Sequence, residues 1–492
     1  MIALLNPSSA RWKHRFPLSI MFLGAMLENK YPYEILDQNL QKDALGRLDR
    51  LAQRGEIKYL AMTVMPGPLL REAITMSKYL KQKYPDLTII WGGYFASLHA
   101  ATALESGYVD FVIRGQGERS FLELIDILER NSPNTLREVP GLSFRLDGNT
   151  IQNSPGIPTD PNLLPPLPYH RIDGNRYVGQ TYLGSRTAAY YSSVGCPFLC
   201  GFCAVASIYR ARWLAMTPDR VVSDLDELKS RYQINAVEFF DENFFTSEKR
   251  THELSEQLIG RGIGWWGEGR PDTMLDYSDE TLRLMSRAGC RMIFFGAESA
   301  SEEMLQQMNK GGTQTPDTVL QLAERLKRFD IVPEFSFVFG SPSPDVHRDF
   351  DRNIRFIRRL KEINPRAEII LYMYAPVVFE ESELSHLAQQ YGFRFPLNLD
   401  DWLAPEWQDF DLRKTPVIPW LKPHHYRRFK DFERVLHGYY PTITDMKLTD
   451  RRRALMRTLS AWRYKLSVYS LPFEIRLIQR LCHYRQPEIE GL

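Results

Sequence analysis

Short apolar runs alternate with amphipathic helical stretches over two long parts of this chain, and glycine-, proline- or acid-rich turns follow most of the runs. Such alternation leaves few folds open. Strands joined through helices lie parallel, either in a sheet covered on both faces or in a closed barrel. Over residues 1–130 the runs are Met1–Leu5, Tyr33–Leu36, Tyr59–Val64, Leu87–Trp91 and Asp110–Ile113, with helical patterns at Leu69–Lys83, Leu98–Ser106 and Ser120–Arg130. This predicts a doubly wound, Rossmann-like parallel sheet, whose ligand sits at the carboxyl ends of the strands. Residues 131–185 read as a connector stiffened by six prolines between Pro155 and Pro168, with a strand pair Leu142–Phe144 and Thr150–Gln152 turning at Asp147-Gly148-Asn149. The alternation resumes over 186–400, at Ala188–Val194, Ala236–Phe240, Gly264–Gly267, Arg291–Gly296, Glu334–Gly340 and Glu368–Tyr374. Six units predict a partial (β/α)6 TIM-like barrel, with its chemistry at the strands' carboxyl ends. Residues 401–492 read as a helical C-terminal extension.

Charge excludes some functions. The 492 residues carry a net charge of only +2, so the whole chain is not built for nucleic acid. No apolar run reaches the ~18–20 residues of a membrane span. Met1–Pro7 lacks the basic and long apolar regions of a secretion signal, which gives a cytoplasmic expectation. The charge is uneven. From residue 411 there are 17 Lys and Arg against 8 Asp and Glu, or +9, while the rest carries 45 against 52, or −7. A solvated helical cap on the barrel is the favoured reading of this basic, aromatic tail, with closure over the barrel mouth or peripheral contact with an anionic membrane as alternatives.

Three of the five cysteines fall within eight residues, Cys196-Pro197-Phe198-Leu199-Cys200-Gly201-Phe202-Cys203, directly after the first barrel strand. Thiolates suit iron–sulfur clusters or zinc. Structural zinc usually takes four protein ligands in paired knuckles. Here the spacing is three then two, and Cys290 and Cys482 are distant in sequence. Three thiols on a four-iron cube leave one iron open to a further ligand.

This pattern resembles the radical S-adenosylmethionine (SAM) enzymes, which place CxxxCxxC after the first strand of a partial barrel and favour an aromatic residue, here Phe202, before the third cysteine. The resemblance implies an oxygen-sensitive 4Fe–4S cluster on Cys196, Cys200 and Cys203, with SAM chelating the open iron and an external low-potential electron donor. Asp241 and Glu242, after the second strand, resemble the family's loop for the SAM amino group, although the sequence departs from Gly-Gly-Glu. Gly296-Ala297-Glu298-Ser299 resembles its GxES element, giving Glu298 and Ser299 as further SAM contacts; Arg270 and Gly340 are additional candidates on the same barrel end.

The turns of the first segment, Val64-Met65-Pro66-Gly67-Pro68, Trp91-Gly92-Gly93 and Arg114-Gly115-Gln116-Gly117-Glu118, resemble the cobalamin-binding domains of a subgroup of these enzymes. Met65, Gly67, Gly92, Gly93, Gly115, Gly117 and Glu118 would then line the cofactor. No DxHxxG occurs, which implies cobalamin bound base-off without a histidine ligand. The subgroup includes carbon and phosphorus methylases and the anaerobic oxidative cyclase of chlorophyll synthesis. Methylation of a small molecule and radical cyclisation or rearrangement both follow from the resemblance. A methylthiotransferase does not, because residues 1–195 contain no cysteine.

Overall fold

A computed structural model describes residues 1–9, 15–310, 312–408, 418–446 and 448–481. Cys482 and the end of the basic tail lie outside these.

Two sheets organise the chain. The first contains seven strands: β1 (Ile2–Asn6), β2 (Tyr33–Asp37), β3 (Tyr59–Thr63), β4 (Thr88–Gly92), β5 (Phe111–Ile113), β6 (Leu142–Leu146) and β7 (Asn149–Gln152), in spatial order β2-β1-β3-β4-β5-β6-β7. The first five are parallel. Their residues are almost all buried, as expected of strands covered on both faces. The order reverses between β1 and β3, so the crevice that doubly wound sheets use for ligands opens beyond their carboxyl ends. The hairpin around Asp147-Gly148 is present but does not stand in a free connector. It pairs antiparallel with β5, Ile113 against Leu142 and Phe111 against Phe144, and covers an edge that would otherwise expose unpaired backbone.

The second sheet has six parallel strands: β8 (Thr187–Tyr190), β11 (Ala236–Phe239), β12 (Gly264–Gly269), β13 (Cys290–Glu298), β14 (Val332–Phe339) and β15 (Glu368–Met373), ordered β15-β14-β13-β12-β11-β8. Sequential neighbours all around give the open partial barrel. Thr217, Ser247 and Ser278 cap its helices through side-chain oxygens that accept amide protons from Arg220, Arg250 and Thr281. The expected run Ala188–Val194 is broken. Ser192 turns toward Asp241, and Ser193–Gly195 becomes β9, antiparallel to β10 (Trp213–Ala215).

One apolar core runs through both units. The carboxyl ends of the two sheets face each other. Tyr94, after β4, donates to Glu242, after β11, at 2.8 Å. Arg15, beyond β1, reaches the barrel and lies 4.0 Å from both Glu238 and the Phe240 ring centre. The extension is helical, at Pro423–Tyr439, Asp450–Leu466 and Phe473–Leu481. Among the described residues no helix is long and apolar enough to cross a membrane.

Candidate functional site

The cysteine loop starts at Gly195, whose φ is +75°; a Cβ there would stand 2.2 Å from the Arg212 carbonyl. Only glycine allows this exit from β9. The loop is then tied across the barrel mouth. Gly201 N–H donates to the Met308 carbonyl at 2.8 Å, the Asn309 amide donates to Leu199 O at 2.7 Å, and the Ser382 hydroxyl donates to Gly201 O at 2.6 Å. These anchors come from beyond β13 and β15, so the loop position depends on strands far along the sequence.

Cys200 is buried, and Cys196 and Cys203 are half-buried. Burial pushes all three thiols up, Cys203 to about 12. The surroundings oppose that shift. Arg270 Nη1 lies 3.5 Å from Cys200 Sγ, and Lys310 also favours its thiolate. The Asn243 amide donates to Cys196 Sγ at 3.8 Å, and the amides of Val205 and Ala206 act on Cys203. Three converging sulfurs beside two buried cations suit a metal cluster of negative charge, whose binding supplies the deprotonation that burial resists. Arg270 is held by a bidentate pair with Asp272, at 3.0 and 2.7 Å, and stacks 4.0 Å over Phe198.

The predicted acids divide. Glu242 faces the space between the sheets. One oxygen accepts from Tyr94; the other is buried with no partner, and burial pushes the carboxyl up to about 7. Asp241 does not face that space. Its carboxylate accepts from Ser192 N, Ser192 Oγ and Ser193 Oγ, with Arg250 beside it, so it clamps the turn before the cysteine loop and has no oxygen directed to a ligand. Glu298, at φ +64°, is committed to Lys310, whose ammonium lies 2.6 Å from its Oε1 and 2.6 Å from Gly296 O. The Lys310 ammonium also lies 5.8 Å from the Phe202 ring, which places this pair behind the third cysteine's neighbour. Ser299 Oγ accepts Ser301 N–H at 3.1 Å and is spent within the turn. Gly340 is covered. Trp420 donates to its carbonyl at 3.0 Å, and Leu421 lies where a Cβ would go, so the extension occupies the place expected for a ligand.

In the first sheet, Met65 and Gly67 lie at the switch-point crevice, Gly67 opening the helix Pro68–Lys83. Gly92 ends β4 and leads into Gly93, whose φ is +92° and whose Cβ would stand 2.7 Å from Val64 O. Gly115 approaches Ile208 of the barrel, and Gly117 caps the helix that Glu118 begins. Glu118 keeps one buried oxygen without a partner, and burial pushes its carboxyl up to about 7. The orphaned oxygens belong to acids that both act on Tyr209, between the two units, and fit a polar ligand there. His99 is closed in by Phe95, Phe395 and Trp402 and is not available to a ligand.

The profile of the Radical SAM superfamily matches residues 190–345, which span the cysteine loop and strands β11 to β14. Residues 190–345 form a radical SAM domain. The chain is 26% identical over 349 residues to an uncharacterized methyltransferase of Pyrococcus horikoshii, covering 70% of this chain and 73% of that protein. It is 26% identical over 276 residues to the anaerobic magnesium-protoporphyrin IX monomethyl ester cyclase of Synechocystis, covering 54% of each, so it matches about half of the cyclase's length. The fold is similar to that of TsrM, a radical SAM methyltransferase from Kitasatospora setae solved with cobalamin and a 4Fe–4S cluster bound. The TM-score is 0.66 at 15% identity, with 98% of both chains covered.

The lumen of the radical SAM domain is lined by Glu238, Phe240, Trp266, Glu268, Phe294 and Glu334. Trp266, Phe240 and Phe294 form an aromatic cluster separate from the main core. Trp266 Nε1 donates to Glu334 at 3.3 Å. Glu238, Phe240, Glu268 and Phe294 keep partial exposure although they face inward. Burial, then Glu242 and Glu334, push Glu268 from the ordinary 4.5 up to about 8. An acid raised in this way binds its proton more tightly in the folded state, so its effect is to lower stability progressively as pH rises through that window. Glu268→Gln is expected to melt as wild type near about pH 5 and above it near about pH 8. Parallel melting curves at both pH values would contradict this placement.

Sequence reading missed Lys310, Tyr94 and Arg15, whose partners lie 12, 148 and 223 residues away. It also gave no role to His347, His424 and His425, which the structure gathers so that ring nitrogens lie within 4.8 Å. His425 Nδ1 accepts the Lys422 amide proton at 3.0 Å and His347 Nδ1 faces Arg428 at 3.4 Å, so one nitrogen of each of these rings is already engaged.

Proposed function

We propose that the chain is a cobalamin-dependent radical SAM enzyme that methylates an unactivated carbon, or a phosphorus, of a small molecule. The observation that carries this reading is the approach of the cationic-flanked cysteine loop and its barrel to the glycine turns of the first sheet, at Tyr94–Glu242 and at Gly115 beside Ile208. Cys196, Cys200 and Cys203 hold the cluster, with Phe202, Glu242 and the Glu298–Lys310 pair around the SAM position. Met65, Gly67, Gly92, Gly93, Gly115, Gly117 and Glu118 line the cobalamin. When bound, the cluster supplies the electron that splits SAM into methionine and a 5′-deoxyadenosyl radical, and cobalamin supplies a methyl carrier.

The chain's own residues provide the setting. Arg270 and Lys310 put positive charge beside Cys200. Tyr94 joins the two units at Glu242. The cobalamin would be base-off, with His99 packed away. Its acidic and aromatic wall suits the lumen to a substrate that offers hydrogen-bond donors or positive charge. An external low-potential donor would supply the electron. Relatives named methyltransferases and the TsrM fold support methylation. The relative named as a cyclase supports a second reading, radical oxidative cyclisation with the same cofactors.

Product analysis separates the two. Reconstituted protein, incubated without oxygen with SAM and a strong reductant, is expected to yield 5′-deoxyadenosine and, only when cobalamin is present, S-adenosylhomocysteine. Deoxyadenosine alone would favour cyclisation. Neither product from fully loaded protein would sink both readings.

A further inference from the structure

The outer surface of the C-terminal extension is not that of a solvated cap. Helix Asp450–Leu466 turns Trp462 and Leu466 outward, Leu471 follows in the link, and helix Phe473–Leu481 turns out Phe473, Leu477 and Leu481. Each is 48–72% exposed. The spacing of the last three, every fourth residue, draws one apolar stripe along that helix. This display is built rigidly. Arg463 is buried between the two helices, donating to Glu474 at 3.0 Å and to Ser470 O at 2.8 Å. Leu471 is held at φ +49°, a left-handed conformation unfavourable for leucine, by its amide's bond to Asp431 at 3.0 Å. The backbone thus carries strain while an apolar side chain points into solvent, a combination that stability alone does not select.

Charge identifies the occupant. Residues 450–481 contain eight Lys and Arg against two Asp and Glu. Arg451, Arg452, Lys465, Arg476 and Arg480 are exposed. A second copy of the chain would oppose this excess with an equal one across a two-fold axis. Aliphatic and aromatic tips flanked by Lys and Arg match the boundary of an anionic bilayer, where the stripe enters the acyl region and the cations meet the headgroups. We propose that the exposed apolar residues Trp462, Leu466, Leu471, Phe473, Leu477 and Leu481 dock the protein onto an anionic phospholipid surface. The proposal does not depend on the reaction assigned to the barrel.

The test is flotation of the full-length, cluster-loaded protein with phosphatidylcholine vesicles, with or without about 30 mol % phosphatidylglycerol. Binding is expected to rise at least about fivefold with the anionic lipid and to fall in high salt. Combining Leu471→Glu, Phe473→Glu and Leu477→Glu, all at exposed positions, is expected to lower binding about tenfold with iron content unchanged. Lys465→Glu with Arg480→Glu is expected to remove the preference for anionic lipid while leaving the fold intact. No binding to either vesicle, equal binding to both, or a dimer by light scattering that persists without lipid and is broken by the triple variant would overturn the proposal.

Discussion

Cys200→Ala protein, reconstituted anaerobically with iron and sulfide, is expected to make no measurable 5′-deoxyadenosine, a loss of more than about a thousandfold. Cys200 is the most buried thiol of the loop and the one flanked by both Arg270 and Lys310. Its removal leaves two thiolates for a cluster that needs three, and leaves two cations aimed at a methyl group. Cys290→Ala is the control. Cys290 is fully enclosed at the start of β13, where it faces Trp265 across the strand pair. Losing its sulfur costs about 1 kcal/mol of packing and leaves the iron content unchanged. Iron content and deoxyadenosine that survive Cys200→Ala, or that disappear in Cys290→Ala, would contradict the assignment of the loop.

Asp241→Ala is expected to destabilise the barrel by about 3–5 kcal/mol, because it strands Arg250 as an uncompensated buried charge. Asp241 is fully buried, and Arg250 is 8% exposed. Arg250 Nη2 donates to Ser192 Oγ at 2.7 Å, and that hydroxyl donates to Asp241 at 2.8 Å, so the three groups form one unit. The turn they hold leads through β9 into Cys196, so the variant should also lose cluster. A clamp and a direct SAM contact predict different couplings. If Asp241 acts through the turn, Ser192→Ala reproduces part of the loss, and the double variant is far from additive. If Asp241 touches SAM, Ser192→Ala leaves cluster content unchanged.

These two residues mark where the sequence is legible and where it is not. The cysteine loop is legible because its ligands lie within eight residues, and the βα alternation is legible because strand and helix periods are local. The turn at Asp147-Gly148 is legible for the same reason, but its sheet is not, because the edge of β5 that receives the hairpin lies 29 to 33 residues before the residues it pairs with. Asp241, Glu298 and Gly340 all stand at strand ends, where barrel chemistry concentrates, and their positions alone suggest ligands. Their real partners, Ser192, Lys310 and Leu421, are 49, 12 and 81 residues away, and only packing decides which side of the turn each group faces. Tyr94 and Glu242 belong to different units, so no local pattern joins them.

Arg15 gives the lumen a resident competitor. Its guanidinium already occupies the aromatic face of Phe240 and the approach to Glu238, and it is tethered to β1 of the opposite sheet. A tethered group acts at a fixed high effective concentration, however dilute the protein. A guest seated against Phe240 and Glu238 must displace this internal cation and does not simply fill a void. Molecules that match the guanidinium's charge repay that exchange, and neutral molecules of the same shape bear its full cost.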